Sequence, residues 1–152
     1  MIMLKEQLIG LVMKALLGAY HAGNSDQKKT RRSSIRPAKE IVSVHADTIL
    51  KDVKKNEARL PKKNDELKGK KSLAYLVWAL GHAHRAEIKQ GISVHDVSAL
   101  LYRANKIELY PINISRVLHT NGNLVRQISH HNRTKTYLLS EEGEHIFMDK
   151  FL

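Results

Sequence analysis

Three successive segments in the second half of the chain carry apolar residues at helical spacing. The first covers residues 72–89, and the second begins at Ser93 and Asp96, which have the spacing of a capping box. The third begins at Pro111, since proline suits the first turn of a helix, and ends at the turn-forming pair Asn121-Gly122. The pattern predicts three consecutive helices.

A β-hairpin and a final helix are predicted to follow. Residues 124–128 and 134–139 have the short, apolar-rich pattern of strands, and residues 130–133 form a polar turn between them. Ser140 is a suitable N-cap for a helix that runs to the C-terminus, and the acidic residues Glu141 and Glu142 of its first turn complement the helix dipole. The expected fold class is therefore mainly α with a small β-hairpin.

The first half of the chain has a different pattern. Residues 4–22 have the periodicity of a helix that is apolar over most of its circumference, so it must be buried, either in the core or against a second copy or another partner. Residues 23–39 have the composition of a loop or arm. A short helical face over residues 37–55 is followed by a lysine-rich linker at residues 54–71. The apolar positions of that face are Ile41, Val44, Ile49 and Val53.

The distribution of charge separates the two halves further. The chain has a formal net charge of +11 at pH 7. Residues 1–71 hold 17 basic and 8 acidic side chains, whereas residues 72–152 hold 9 and 7. This asymmetry predicts a helical, basic N-terminal extension with a linker (1–71) attached to a folded domain (72–152), and it favours a polyanionic partner.

Features of common catalytic and metal sites are missing from the sequence. The chain has no cysteine, and its nine histidines include no His-Glu-x-x-His pattern. His82 and His84 are two residues apart on a predicted helix, so they point to different sides. We expect no metal, no cofactor and no enzymatic activity.

The longest apolar run, residues 8–20, is shorter than the roughly 20 residues that span a bilayer, and Lys14 interrupts it. It is also a poor signal peptide, because charged residues precede it and no clear cleavage site follows. We therefore expect no membrane partner and a cytoplasmic or nucleoid-associated protein, or a nuclear one in a eukaryote.

The order helix, helix, helix, strand, turn, strand, helix resembles a winged helix-turn-helix over residues 72–152. Residues 113–118 and 121–126 look like the recognition helix and first wing strand of that superfamily. Residues 133–143 look like the second wing strand and the tyrosine-x-leucine-threonine-x-x-glycine run that opens the last helix in MarR-like and PadR-like regulators. Ser140 takes the place of the threonine, and Gly143 matches the glycine.

The resemblance implies that the third helix enters the major groove of DNA, where short polar side chains reach base edges. The candidate contacts on that helix are Asn113, Ser115, Arg116, His119 and Thr120. The wing residues expected along a backbone or minor groove are His130, His131, Arg133 and Lys135. The lysines and arginines expected to add phosphate contacts are Lys28, Lys29, Arg31 and Arg32 of the arm and Lys70 and Lys71 of the linker.

The sequence thus favours a protein that binds duplex DNA, as a transcriptional regulator or a DNA-binding accessory factor. A homodimer or a protein partner held through residues 4–22 would let two recognition helices meet half-sites about one turn of DNA apart. Two alternatives stay open at this point. One is a protein-interaction or assembly module that uses the winged helix as an adaptor, and the other is an RNA-binding protein.

Overall fold

The computed structural model describes residues 37–129 and 134–152, which contain five α-helices and one β-hairpin. This part of the chain confirms the mainly α class with a small hairpin. The helix predicted at residues 4–22 lies outside the described residues. The elements are a 3-10 turn (Ala38–Glu40), α1 (Val44–Lys55), α2 (Lys71–Arg85), α3 (Val94–Asn105), α4 (Pro111–Thr120), β1 (Val125–Ser129), β2 (Lys135–Leu139) and α5 (Glu141–Phe151).

Helix α2 forms the centre of the core because it is apolar on every side. Each residue from Leu73 to Ala83 is buried, and Trp78 has no exposed surface. A helix of this kind has to be surrounded by other elements. The other four described helices and β2 all contact α2.

Three of the helices begin at serine N-caps, as their sequence favours. Ser93 and Asp96 form the predicted capping box at the start of α3. The Ser140 hydroxyl accepts a hydrogen bond from the Gly143 N–H at the start of α5, again as predicted. At the start of α1 the same role belongs to Ser43, which accepts from the Ala46 N–H.

The chain before α1 differs from the continuous helical face predicted over residues 37–55. Ile41 is buried, but Val44 is 75% exposed, because the 3-10 turn ends at Glu40 and α1 begins only after Ser43. The Arg103 guanidinium of α3 donates hydrogen bonds to the carbonyls of Ile41 and Ser43, each at 2.9 Å. These bonds from a distant side chain hold residues 41–43 in an extended conformation.

The segment expected to be a linker is instead fixed against the core. We call residues 56–70 the strap. Trp78 Nε1 donates to the Arg59 carbonyl at 2.9 Å, and Asn105 Nδ2 donates to the Pro61 carbonyl at 2.6 Å. Pro37–Leu152 form one compact unit. The strap is held by hydrogen bonds to its backbone, which a hydrophobic pattern does not indicate.

The hairpin packs on α2 and is extended by a single pairing from the α2–α3 connection. The strands are antiparallel, with Val125 opposite Leu139 and Ser129 opposite Lys135. Ile92 exchanges two backbone hydrogen bonds with Tyr137, at 2.9 and 3.2 Å. The hairpin is therefore anchored to the helical core through β2.

Gly143 allows α5 to cross the start of the hairpin. A Cβ atom at this position would lie 2.3 Å from the carbonyl oxygen of Leu124, well inside van der Waals contact. That carbonyl also accepts the Ser140 N–H at 2.9 Å. The close approach gives a structural reason for the glycine in the run that opens the last helix.

We predict that Gly81→Ala destabilises the protein although alanine is favoured over glycine within a helix by about 1 kcal/mol. A Cβ atom at Gly81 would lie 2.2 Å from the Phe147 ring, so α5 would have to shift. The expected loss of unfolding free energy is about 1–3 kcal/mol, measured by urea denaturation. Gly122→Ala is the control, since no atom lies within 4 Å of its added Cβ, and a change below about 0.5 kcal/mol is expected there.

His82 is buried in an aromatic cluster. Its ring lies edge-on to Trp78 at 4.8 Å and to Phe147 at 5.0 Å between centroids, and its Nε2 has no hydrogen-bond partner in the described residues. Burial, helped by the nearby Arg85 guanidinium and opposed by Asp52, lowers the pKa of His82 to about 4. The ring is therefore neutral in the folded protein at pH 7.

We predict that acidification destabilises the fold through His82. Because the pKa is about 4 when folded and 6.5 when unfolded, the unfolded chain binds more protons between these values. Stability should fall as the pH drops through that range, by on the order of 3 kcal/mol. Urea denaturation at several pH values from about 7 to about 4 measures this change. In His82→Leu the same acid-dependent loss should be smaller; an equal loss in the two proteins would contradict the prediction.

Candidate nucleic-acid interface

Helix α4 has one buried face and one exposed polar face. Ile114 and Leu118 are buried and attach the helix to the core. The five polar residues predicted as contacts on this helix, namely Asn113, Ser115, Arg116, His119 and Thr120, are all exposed. The exposed face is thus presented on a helix whose opposite side is anchored.

The helical repeat divides the exposed residues into two adjoining rows. Asn113, Arg116 and Thr120 lie at i, i+3 and i+7 and form the first row. Ser115 and His119 form the second row, on the side that faces the hairpin. The Thr120 hydroxyl donates to the Arg116 carbonyl at 2.9 Å, so its proton is already engaged within the helix.

A cleft of about 220 Å³ separates the second row from the hairpin. Its polar lining comes from Ser115 and His119 on α4 and from Gln127 and Lys135 on the two strands. The strand register places Gln127 opposite Tyr137 and Lys135 opposite Ser129, so Gln127 and Lys135 lie on the same face of the sheet. The structure therefore brings three of the predicted residues, Ser115, His119 and Lys135, to one cleft.

Arg116 and Lys135, two cations of this surface, form no ion pair within the described part of the chain. The ion pairs of residues 37–129 and 134–152 join Arg59 to Asp65, Arg103 to Asp47, and His84 to Glu144. Neither Arg116 nor Lys135 belongs to any of these pairs. Both side chains are exposed and can bind an external anion or a base edge.

The entry to α4 carries an acidic group. The Tyr110 hydroxyl donates to Glu108 Oε1 at 3.2 Å, and this carboxylate raises the pKa of the Tyr110 phenol above its ordinary value of 10. Glu108 is exposed just before the N-terminus of α4 and disfavours a phosphate at that point.

Two residues of this surface were not predicted from the sequence. Ile112 is 53% exposed in the first turn of α4, beside the polar rows. Ile112 lies two residues before the buried Ile114, which places it outside the apolar stripe of the helix. Its exposure could therefore have been predicted from the helical periodicity. Gln127 lies in the cleft because of the hairpin register, which cannot be derived from the strand sequence alone.

The other predicted contacts lie elsewhere or outside the described residues. Lys70 and Lys71 are exposed where the strap joins α2, not in the cleft. The wing residues His130, His131 and Arg133 and the arm residues Lys28, Lys29, Arg31 and Arg32 fall outside the described ranges.

The described residues contain no group of three or more histidine, aspartate or glutamate side chains placed to hold a metal ion. None of the helices in this part of the chain is long and apolar enough to cross a bilayer. Among known proteins, no family model, no curated protein and no solved structure matches the chain.

Proposed function

We propose that this protein binds duplex DNA through α4 and the β-hairpin, as a transcriptional regulator or a DNA-binding accessory factor. The observation that carries the proposal is the exposed face of α4, where all five polar residues expected from the sequence project away from a buried apolar stripe. The order of α2, α3, α4 and the hairpin, with Ile92 paired to β2, supports the winged helix-turn-helix assignment.

The two rows of α4 suit the edges of bases in a major groove. Arg116 has the donors for a bidentate contact to guanine, and Asn113 has the donor and acceptor for adenine. Ile112 supplies an apolar surface for the methyl group of thymine. Reading of this kind needs a rigidly held helix, and the packing of α4 on α2 and α3 provides it.

The hairpin suits a different part of the same ligand. Lys135 is an exposed cation on the strand that faces α4 across the cleft. A lysine binds phosphate as a point charge and carries no information about the base sequence. We infer that α4 supplies the sequence preference and that the hairpin holds the backbone beside it.

The finer parts of this proposal concern partners and location. Residues 4–22 are proposed to join two copies of the chain, or the chain to another protein, because their pattern demands burial. The protein is proposed to act without a cofactor or catalytic step, in the cytoplasm or nucleoid, or in the nucleus of a eukaryote.

We predict that Arg116→Ala weakens the sequence preference. Selection from a pool of randomised duplexes by the wild-type full-length protein should enrich a motif. The variant should lose discrimination at one base pair, by about 1–3 kcal/mol. Arg85→Ala is the matched control, because Arg85 is also exposed but lies at the end of α2. If the wild-type protein binds no duplex at low salt, or structured RNA competes better than duplex DNA, the proposal is wrong.

Lys135→Ala should weaken binding to all duplexes about equally. Removal of one phosphate contact lowers the slope of log affinity against log salt by about 0.9. Fluorescence anisotropy over about 50 to 200 mM salt measures this slope. A change confined to particular DNA sequences would argue against a backbone role for Lys135.

A further inference from the structure

The strap carries a dense group of lysines that the α4 surface does not include. We call Lys62, Lys63, Lys68, Lys70 and Lys71 the strap lysines; the last of them lies in the first turn of α2. All five are exposed, and none is in an ion pair within residues 37–129 and 134–152.

The acidic groups of the strap leave a net positive charge. Asp65 is 8% exposed, and its carboxylate binds the Arg59 guanidinium at 2.5 Å and the Lys62 N–H at 2.7 Å. Glu57 and Glu66 are exposed and are the remaining carboxylates of the strap. The strap lysines therefore contribute five positive charges, against two carboxylates that form no ion pair within the described residues.

Hydrogen bonds from the core hold the backbone of the strap at Arg59, Pro61 and Lys63. The Tyr75 hydroxyl donates to the Lys63 carbonyl at 2.5 Å, and burial together with Asp65 and Glu66 raises the pKa of this phenol, so it stays a donor. The bonds from Trp78 to Arg59 and from Asn105 to Pro61 hold the residues before it. The Arg59 guanidinium also lies 5.5 Å from the centre of the Phe151 ring.

Several of the lysines occupy positions that do not favour lysine for stability. Lys68 has φ 52° in a two-residue turn closed by hydrogen bonds between Leu67 and Lys70, where asparagine or glycine is preferred. Lys70 and Lys71 stand at the N-terminal end of α2, whose first turn has no acidic residue, and a cation there opposes the helix dipole. A partner that binds positive charge would account for lysine at these positions.

We propose that the strap lysines form a second contact surface for duplex DNA, which binds the phosphate backbone in a fixed arrangement and reads no sequence. Lysine suits phosphate as a point charge, and the strap offers no exposed aromatic side chain for stacking on bases. The bond from Asn105 joins the strap to the end of α3, and α4 begins six residues later. This inference rests on the proposed function, and it adds a backbone contact outside the α4 face.

The first experiment removes three strap charges from the full-length protein: Lys62→Gln, Lys63→Gln and Lys68→Asn. The control removes three exposed charges elsewhere: Lys51→Gln, Arg85→Gln and Lys89→Gln. If all three strap lysines bind phosphates, the salt slope falls by about 2.7. Between about 50 and 200 mM salt, the wild-type protein would then lose about 40-fold more affinity than the strap variant. The control variant should lose as much affinity as the wild type over the same range. Equal slopes for the strap and control variants would overturn the proposal.

Two single variants test the fixed arrangement, and the first of them retains every charge. Tyr75→Phe removes the hydroxyl that holds the Lys63 carbonyl, and we expect affinity to fall several-fold at a nearly unchanged salt slope. Lys68→Asn alone should keep or raise the melting temperature while it weakens binding, because asparagine suits a positive φ better. Unchanged affinity in Tyr75→Phe would overturn the fixed arrangement.

Arg116→Ala, tested by selection from randomised duplexes, separates this inference from the proposed function. If Arg116→Ala changes sequence preference while the strap and control variants behave alike, the function stands and the strap inference fails. If the wild-type protein does not bind duplex DNA even at low salt, the proposed function and this inference fail together.

Discussion

The complete burial of α2 is the constraint on which the rest of this fold depends. A helix that is apolar on all sides cannot be covered by a single neighbour, so four helices and a strand are arranged around it. Packing this close leaves no room for a side chain at Gly81, where the Phe147 ring occupies the space of a Cβ atom. The same density leaves the His82 Nε2 without a partner in the described residues.

Burial of α2 also explains why the strap is ordered. Trp78 and Tyr75 bring an indole N–H and a phenol O–H into the core boundary, and a buried donor of either kind is costly without an acceptor. The carbonyls of Arg59 and Lys63 supply those acceptors. A lysine-rich segment with little apolar surface is thereby held in place by hydrogen bonds that satisfy the buried donors of α2.

This dependence marks the boundary between what the sequence predicts and what it does not. Features that follow from local patterns of a few residues are predicted from the sequence. They are the capping box at Ser93, the proline start of α4, the Ser140 cap and the hairpin. The strap and the extended residues 41–43 depend on single side chains far along the chain, such as Arg103 and Asn105. No periodicity carries that information.

The candidate site likewise has one part that local sequence patterns predict and one part that they do not. The exposed face of α4 was predictable because it is the complement of the Ile114 and Leu118 stripe, which helical spacing determines. The cleft beside it was not, because its far side depends on the register of a hairpin. Gln127 lines the cleft only because that register places it on the same face of the sheet as Lys135.

The two cationic surfaces differ in how the core supports them. On α4 the packing of an apolar stripe fixes a helix, and a helix presents side chains at regular spacing, which suits the regular edges of stacked bases. On the strap, hydrogen bonds fix a backbone path with no regular repeat, and its lysines carry charge without directional pairing. A phosphate backbone demands only that charge be near and held in place, so an irregular but anchored segment is sufficient for it. One buried helix can therefore support both the proposed reading surface on α4 and the proposed holding surface on the strap.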